Sequence, residues 1–218
     1  MLSILHAANA FCFDVDSTVC KNEALDDLAK WCNIKDISAI TKKTMRGDVC
    51  FRESLKTRLN LIQPNKYQLK SFIENNPPQL NNGIRNLINV LYEHDKDVFL
   101  VSGGFRPIIE PVALSLSIPI EHIYANTLLF DNTTGEYIGF DENEYTCTSH
   151  GKALAIQDIK KKYKYKNVVM IGDGITDLNA SADFFIGYGG TCVINVVKNN
   201  SDKFIYDFDE ITSLLTKK

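Results

Sequence analysis

Ala10-Phe11-Cys12-Phe13-Asp14-Val15-Asp16-Ser17-Thr18-Val19 opens as an apolar run and breaks into two carboxylates. Read alone, residues Ala10 to Val15 form a short buried strand whose C-terminal end presents Asp14 and Asp16. The pattern recurs downstream. Asp97-Val98-Phe99-Leu100-Val101 ends at Ser102-Gly103-Gly104, and Val168-Val169-Met170-Ile171 ends at Gly172-Asp173-Gly174. Phe184-Phe185-Ile186-Gly187 is a fourth candidate strand. Continuous apolar strands indicate a sheet covered on both faces. Between them, Ile84, Leu87, Ile88 and Leu91 take the i, i+3, i+4, i+7 spacing of a helix, as do Ala155, Ile156 and Ile159 in 152–162. Alternating strands and helices predict an α/β fold with a doubly wound, mostly parallel sheet. After Gly104 the helical pattern is less regular. Pro107 suits a first turn, whereas Pro111 predicts a kink or a delayed start.

Two stretches break this rhythm. Residues from Lys21 to Asn76 read as all-helical, with Leu55, Leu59 and Ile62 on one face, and Pro77-Pro78 closes them. The expected organisation is therefore an α/β core of residues 1–20 and 77–218 with a helical cap, 21–76, inserted after the first strand. In 127–141, short strand-like runs flank Asn132-Thr133-Thr134-Gly135, the signature of a small β-hairpin.

Composition limits the partners. The chain has 218 residues, 44% hydrophobic and 23% charged, with a net charge of -3, so no clustered basic excess draws nucleic acid or a membrane surface. The densest basic run, Lys160-Lys161-Lys162 with Lys164 and Lys166, fits the solvated end of a helix. No apolar run approaches the roughly 20 residues of a membrane span, and no basic region leads into a long apolar block at the N-terminus. Six cysteines without a CxxC pair, and four scattered histidines, argue against zinc and for reduced thiols in the cytoplasm. The sequence does not fix the oligomeric state, a homodimer being one option.

Ligands of open α/β sheets bind beyond the C-terminal strand ends. Those ends carry Asp14 and Asp16, Ser102, then Asp173 and Asp177, with Lys152 opening a helix. Four carboxylates without a matching arginine are costly together unless a cation joins them. Oxygen donors without His or Cys favour a hard metal, and Mg²⁺ suits carboxylates beside a phosphate. Each residue alone has a plainer reading: Asp and Ser cap helices and fill turns, and an isolated lysine is usually a surface group. The argument rests on their joint order at successive strand ends.

Asp14-Val15-Asp16-Ser17-Thr18-Val19 resembles the DxDx(T/V) signature of the haloacid dehalogenase superfamily, with Ser102, Lys152 and Gly172-Asp173-Gly174-Ile175-Thr176-Asp177 similar to its second, third and fourth motifs. The stretches 13–19, 101–106, 171–177 and Leu61-Ile62-Gln63-Pro64, with Met45-Arg46-Gly47, Phe51, Leu55 and Arg58, resemble its phosphoserine phosphatase family over nearly the whole chain. Pro111, His150 and Thr176 depart from the family pattern without removing a catalytic group.

The resemblance implies a Mg²⁺-dependent phosphatase acting on the small molecule O-phospho-L-serine, with Asp14 as nucleophile and Asp16 as general acid and base. Alternation along an extended chain would turn Asp16 to the same side as Asp14. Asp14, Asp173 and the backbone carbonyl of Asp16 are the implied metal ligands, and Asp177 a supporting group. Ser102, Gly103, Gly104, Lys152 and Thr176 are implied phosphate-side contacts, Thr176 being open to the serine moiety too. Within the cap, Glu23 suits the ammonium and Arg58 the carboxylate of the substrate. Met45 and Phe51 would exclude water, with packing inside the cap as the alternative, and the backbone near Arg46 is a further candidate contact. Rival functions are a same-fold phosphatase for another small phosphomonoester, a phosphotransferase, and a non-catalytic phospho-ligand sensor. A sensor needs no nucleophile, so retention of both Asp14 and Asp16 weighs against it.

Overall fold

The computed structural model describes residues 2–34, 37–45 and 49–216. Six parallel strands form the main sheet: β1 (Ala10–Phe13), β2 (Asp97–Phe105), β3 (Ile123–Asn126), β6 (Val168–Gly172), β7 (Phe184–Tyr188) and β8 (Lys203–Ile205). Two more, β4 (Leu128–Phe130) and β5 (Tyr137–Phe140), pair antiparallel as the expected hairpin. The sheet order is β3-β2-β1-β6-β7-β8. The chain thus winds outward from β1 in one direction and returns to β6, on the other side of β1, to wind the opposite way. That reversal opens a crevice between β1 and β6, where Phe13 pairs with Ile171 and the Asp14 N–H donates to the Ile171 carbonyl at 2.9 Å.

Period-2 alternation sorts each strand onto two cores. Phe11, Phe13, Val98, Leu100, Val169 and Ile171 face one side, packed under α1 (Leu2–Ala7), α6 (Ile84–Glu93), α7 (Arg106–Ser115) and α11 (Asp209–Thr216). Ala10, Cys12, Phe99, Val101, Val168 and Met170 face the other, with α8 (Gly151–Tyr163), α9 (Ile175–Leu178) and α10 (Asn195–Asn200) on that side. Both faces are covered, which is why the strands read as unbroken apolar runs.

Between β1 and α6 the described residues form four α-helices: α2 (Ala24–Trp31), α3 (Ser38–Met45), α4 (Phe51–Ile62) and α5 (Lys66–Asn75). They bury Leu25, Leu28, Leu55, Leu59, Ile62, Leu69 and Phe72 in a third cluster, shared with Phe105, Leu128 and Phe140. Gln63 ends α4 in a left-handed conformation, and Asn65 starts α5 through a reciprocal capping pair with Gln68. The segments entering and leaving this insertion are joined to each other. Cys20 and Leu80 form an antiparallel bridge, and Lys21 N–H donates to the Gln79 carbonyl at 2.8 Å. The buried Asn81 amide donates to the carbonyls of Thr18 at 2.7 Å and Cys20 at 3.2 Å, and to Thr191 Oγ1 at 3.0 Å.

Some expectations need correction. The first strand ends at Phe13, not Val15, because the next residues close a tight turn in which Val19 N–H reaches the Asp14 carbonyl and Cys20 N–H the Val15 carbonyl. One helix runs through Pro111 from Arg106 to Ser115. The hydrogen bond that Pro111 cannot make would have gone to Pro107, in the first turn of a helix, where the loss is confined to one carbonyl near the end. Strands β3 and β8, of four and three residues, had no sequence signal. No helix among the described residues is long and apolar enough to cross a membrane.

Candidate active site

At the β1–β6 crevice a pocket of about 650 Å³ is lined by Asp14, Asp16, Ser102, Lys152, Asp173 and Asp177 from the sheet side, and by Glu23, Thr41, Phe51 and Arg58 from the helical insertion. Gly103, Gly104 and Thr176 also line it. Met45 ends α3 with its side chain outside the described part, and Arg46 lies outside the described residues altogether.

Lys152, in the first turn of α8, is buried between two carboxylates. Its Nζ lies 2.5 Å from Asp14 Oδ1 and 2.6 Å from Asp177 Oδ1. Burial works against its charge, but Asp14 and Asp177 more than offset this, so its pKa stands above the ordinary lysine value. Asp177 in turn accepts from Gly174 N–H at 2.9 Å. Burial, opposed by Lys152, still leaves Asp177 pushed up to about 7. Asp173, 1% exposed, takes a hydrogen bond from Thr18 Oγ1 at 3.1 Å on Oδ1. Its Oδ2 is buried without a partner among the described residues. Burial and the nearby Asp14 and Asp177 raise its pKa well above the usual carboxylate range.

These groups fit a metal ion. Carboxylate oxygens of Asp14, Asp173 and Asp177 lie within 4.8 Å of one another, one buried oxygen lacks a donor, and every candidate ligand is a hard oxygen. The pocket carries five carboxylates against the two cations Lys152 and Arg58. Burial first, with the crowding of like charges beside it, raises the carboxylate pKa values.

Asp16 reaches the pocket by a different route from the one alternation suggests. It lies in the turn, not in the extended strand, and the following Ser17 sits at φ 57° in the left-handed region. Its Oδ1 accepts from Ala24 N–H at 2.9 Å, which anchors it to the start of α2. Burial, then the charge of Asp14, pushes Asp16 up to about 7, poised to hold or release a proton near neutrality. Gly104 faces it closely: a Cβ there would lie 2.9 Å from Asp16 Oδ2. At Gly103 a Cβ would collide with the Phe51 ring, so glycine lets the aromatic ring cover the β2 end directly. The fully buried Ser102 Oγ accepts from Gly104 N–H at 2.9 Å.

On the opposite wall, Glu23 accepts from Ser17 Oγ at 2.6 Å. Burial and Asp16 push it up to about 8. Arg58, 5% exposed, donates Nε–H to the Ser54 carbonyl at 3.3 Å and Nη1–H to Thr41 Oγ1 at 3.2 Å. Burial lowers its pKa, while Glu23, Asp26 and Asp16 hold the charge. The insertion is pinned at the N-terminus of α4, where Phe51 N–H donates to Ser149 Oγ at 3.1 Å and Arg52 Nη1 lies 3.1 Å from Glu142 Oε2.

The pocket gathers every predicted site residue whose side chain is described; Met45 and Arg46 are not among them. It also recruits groups that sequence reasoning missed: Ser17 holding Glu23, Thr18 holding Asp173, and Thr41 beside Arg58. Ser17 and Thr18 fall inside the first motif, so their position was a signal. Thr41 had none.

A parallel sheet with its carboxylates at the switch point is the architecture of a known class of hydrolases, and the family model of haloacid dehalogenase-like hydrolases matches residues 8–184. The chain belongs to that family. It is 46% identical over 212 residues to the phosphoserine phosphatase of Bos taurus, a match that spans 96% of this chain and 94% of that one. With the chloroplastic phosphoserine phosphatase of Arabidopsis thaliana it shares 44% identity over 220 residues, or 99% of this chain and 74% of the relative. Among solved structures, DsGPDH of Dunaliella salina superimposes with a TM-score of 0.86 at 33% identity, over 99% of this chain and 37% of that one. Within the hydrolase class the chain is a phosphatase of the phosphoserine phosphatase family.

Proposed function

We propose that this phosphatase hydrolyses O-phospho-L-serine to L-serine and phosphate with Mg²⁺, the last step of L-serine biosynthesis, through an aspartyl-phosphate on Asp14. One observation carries the substrate reading. Glu23 and Arg58 line the same pocket as the phosphate machinery; an ammonium docked beside the Glu23 carboxyl would draw off its proton, so the pair can present one negative and one positive group to one small molecule. Phosphoserine carries an ammonium and a carboxylate beside its phosphate, so it answers both.

Residues 21–76 act in this reading as a cap over the site. In the first step the Asp14 carboxylate attacks phosphorus, the P–Oγ bond to serine breaks, and Asp16 gives its proton to the leaving oxygen. A carboxyl with pKa about 7 is suited to this, because it holds a proton near neutrality yet releases it readily. In the second step water attacks phosphorus, Asp16 takes the proton, and the bond to Asp14 breaks. Ser102 and the Gly103 N–H hold the phosphoryl oxygens, and Thr176 stands at the same pocket. Lys152 fixes one oxygen of Asp14 and adds positive charge to the transferring group. Mg²⁺ would be held by Asp14, Asp173 and the backbone carbonyl of Asp16, with Asp177 steering Lys152, and it would neutralise charge between Asp14 and the phosphate dianion. Phe51 closes the site against water; Met45 and Arg46 are assigned by resemblance to the same rim. Unpaired cysteines support a cytoplasmic setting.

The test is phosphate release from phosphoserine, phosphothreonine, phosphoethanolamine and sugar phosphates, with and without Mg²⁺. The expected result is phosphoserine first and no turnover in chelator. Equal rates across the panel would sink the substrate, and transfer of phosphate to added free serine in preference to water would make the chain a phosphotransferase.

A further inference from the structure

Arg58 does not stand alone in the helical wall. Thr41 Oγ1 donates to Asp26 Oδ1 at 2.6 Å and accepts from Arg58 Nη1 at 3.2 Å. Thr41 is 3% exposed and Asp26 is 8% exposed, so both bonds are shielded from water. A hydroxyl has one proton. Once Asp26 takes it, the oxygen of Thr41 has only lone pairs to offer Arg58, and the relay acquires a direction: carboxylate, hydroxyl, guanidinium. Asp26 lies in the first turn of α2, three residues after Glu23 at its N-cap, so one helix start carries both the group facing the ammonium and the base of this relay.

We infer that Asp26 and Thr41 are positioning residues for the substrate carboxylate, through the Asp26–Thr41–Arg58 relay. The inference rests on the phosphoserine reading. With Nε–H committed to the Ser54 carbonyl and one Nη1–H to Thr41, the N–H groups of Arg58 left without a partner among the described residues are the second of Nη1 and those of Nη2. The guanidinium therefore offers its end-on edge, and its rotation about that edge is fixed from two sides. A carboxylate docked there meets a fork already in place, which lowers the ordering cost of binding. Without Thr41 the guanidinium keeps its charge but loses that orientation.

The test uses Thr41→Val, which keeps shape and removes the hydroxyl, Thr41→Ser, which restores it, and Asp26→Asn. The readout is the ratio of kcat/KM for phosphoserine to that for phosphoethanolamine, which lacks the carboxylate. Thr41→Val is expected to lower this ratio about tenfold, mainly through KM for phosphoserine, as the loss of a hydrogen bond to a charged group implies. Thr41→Ser should return most of it, and Asp26→Asn should fall between. If Thr41→Val lowers both substrates equally, or if Thr41→Ser behaves as poorly as Thr41→Val, the residues only pack the helices and the inference fails. Should Thr41→Val not fold, Asp26→Asn decides by the same ratio. Wild type and Arg58→Ala are run alongside. If wild type shows no preference for phosphoserine, the substrate reading fails. If it does, Arg58→Ala removes the preference and Thr41→Val leaves it intact, only the relay fails.

Discussion

The two walls of the pocket are carried differently. Asp14 and Asp173 follow directly on the adjacent parallel strands β1 and β6, Ser102 lies within β2 just past its pairing with β1, and Lys152 sits in the first turn of a helix packed on that sheet. Glu23, Thr41, Phe51 and Arg58 stand on helices whose apolar cluster is separate from both sheet cores. The first wall holds groups that any phosphate ester needs, and its geometry is set by the backbone ladder. The second holds groups that can tell one ester from another, and its helices pack mainly on one another, meeting the sheet through Phe105 and the hairpin through Leu128 and Phe140. Chemistry and selection thus rest on different cores.

Substitutions should separate the walls. The largest effect belongs to the sheet wall: Asp14→Asn should lower kcat on every substrate by on the order of 10³-fold or more, because an amide is a poor nucleophile. Brief incubation of wild type with labelled substrate should leave acid-stable, base-labile label on Asp14; label on serine or histidine ends this mechanism. Chelation should likewise stop turnover of all substrates, with Mg²⁺ restoring it and Ca²⁺ working poorly because its larger shell misplaces Asp14. Activity that persists in chelator would break the comparison at its core side.

The helical wall should respond selectively. Arg58→Ala and Glu23→Gln should each lower kcat/KM for phosphoserine by roughly thirtyfold or more, the cost of removing one partner of a desolvated charge pair. An aryl phosphate should lose much less. On phosphoethanolamine Glu23→Gln should be harmful and Arg58→Ala far less so. Equal losses on all substrates would mean that these residues hold the helices together and select nothing.

The smallest effect is on stability against pH. Asp16 and Asp177 stand at about 7 in the folded chain, against roughly 4 when unfolded. Between those values the folded state keeps protons that the unfolded chain has lost. The contribution of these groups is therefore fully present below about pH 4 and lost as pH rises through 7. Bound Mg²⁺ relieves the same crowding of charge, so its gain in Tm should be larger near pH 8 than near pH 5.5, by a few degrees (about 2–4 °C). Thermal melts at the two pH values check this; an equal gain at both would detach the metal from these carboxylates.

Much of this was legible from the residues. The sheet announced itself because strands covered on both faces carry apolar side chains at every position, as Phe11, Cys12 and Phe13 do. The sheet wall was legible because its groups follow those strands directly. The hairpin was marked by Asn132 to Gly135. Short edge strands such as β8 left no run long enough to read. The turn after Phe13 was hidden because Asp-Val-Asp looks extended until Ser17 takes φ 57°. Thr41 and Asp26 were invisible because their partnership with Arg58 spans three helices, and no local pattern encodes a contact made only by folding.

The paired segments that enter and leave the insertion have a mechanical consequence. A single linker lets a lid swing, slide and twist. Two chains bridged at Cys20 and Leu80, tied again from Lys21 to Gln79 and stitched at their base by the Asn81 amide, behave as a leaf spring. Such a ribbon flexes across its flat face but resists shear along its length, because sliding would break its cross-links. The cross-links therefore tie the segment that leads to Glu23 and α2 to the segment that leads back to the sheet, so the register of the helical wall at its base is held by the strap.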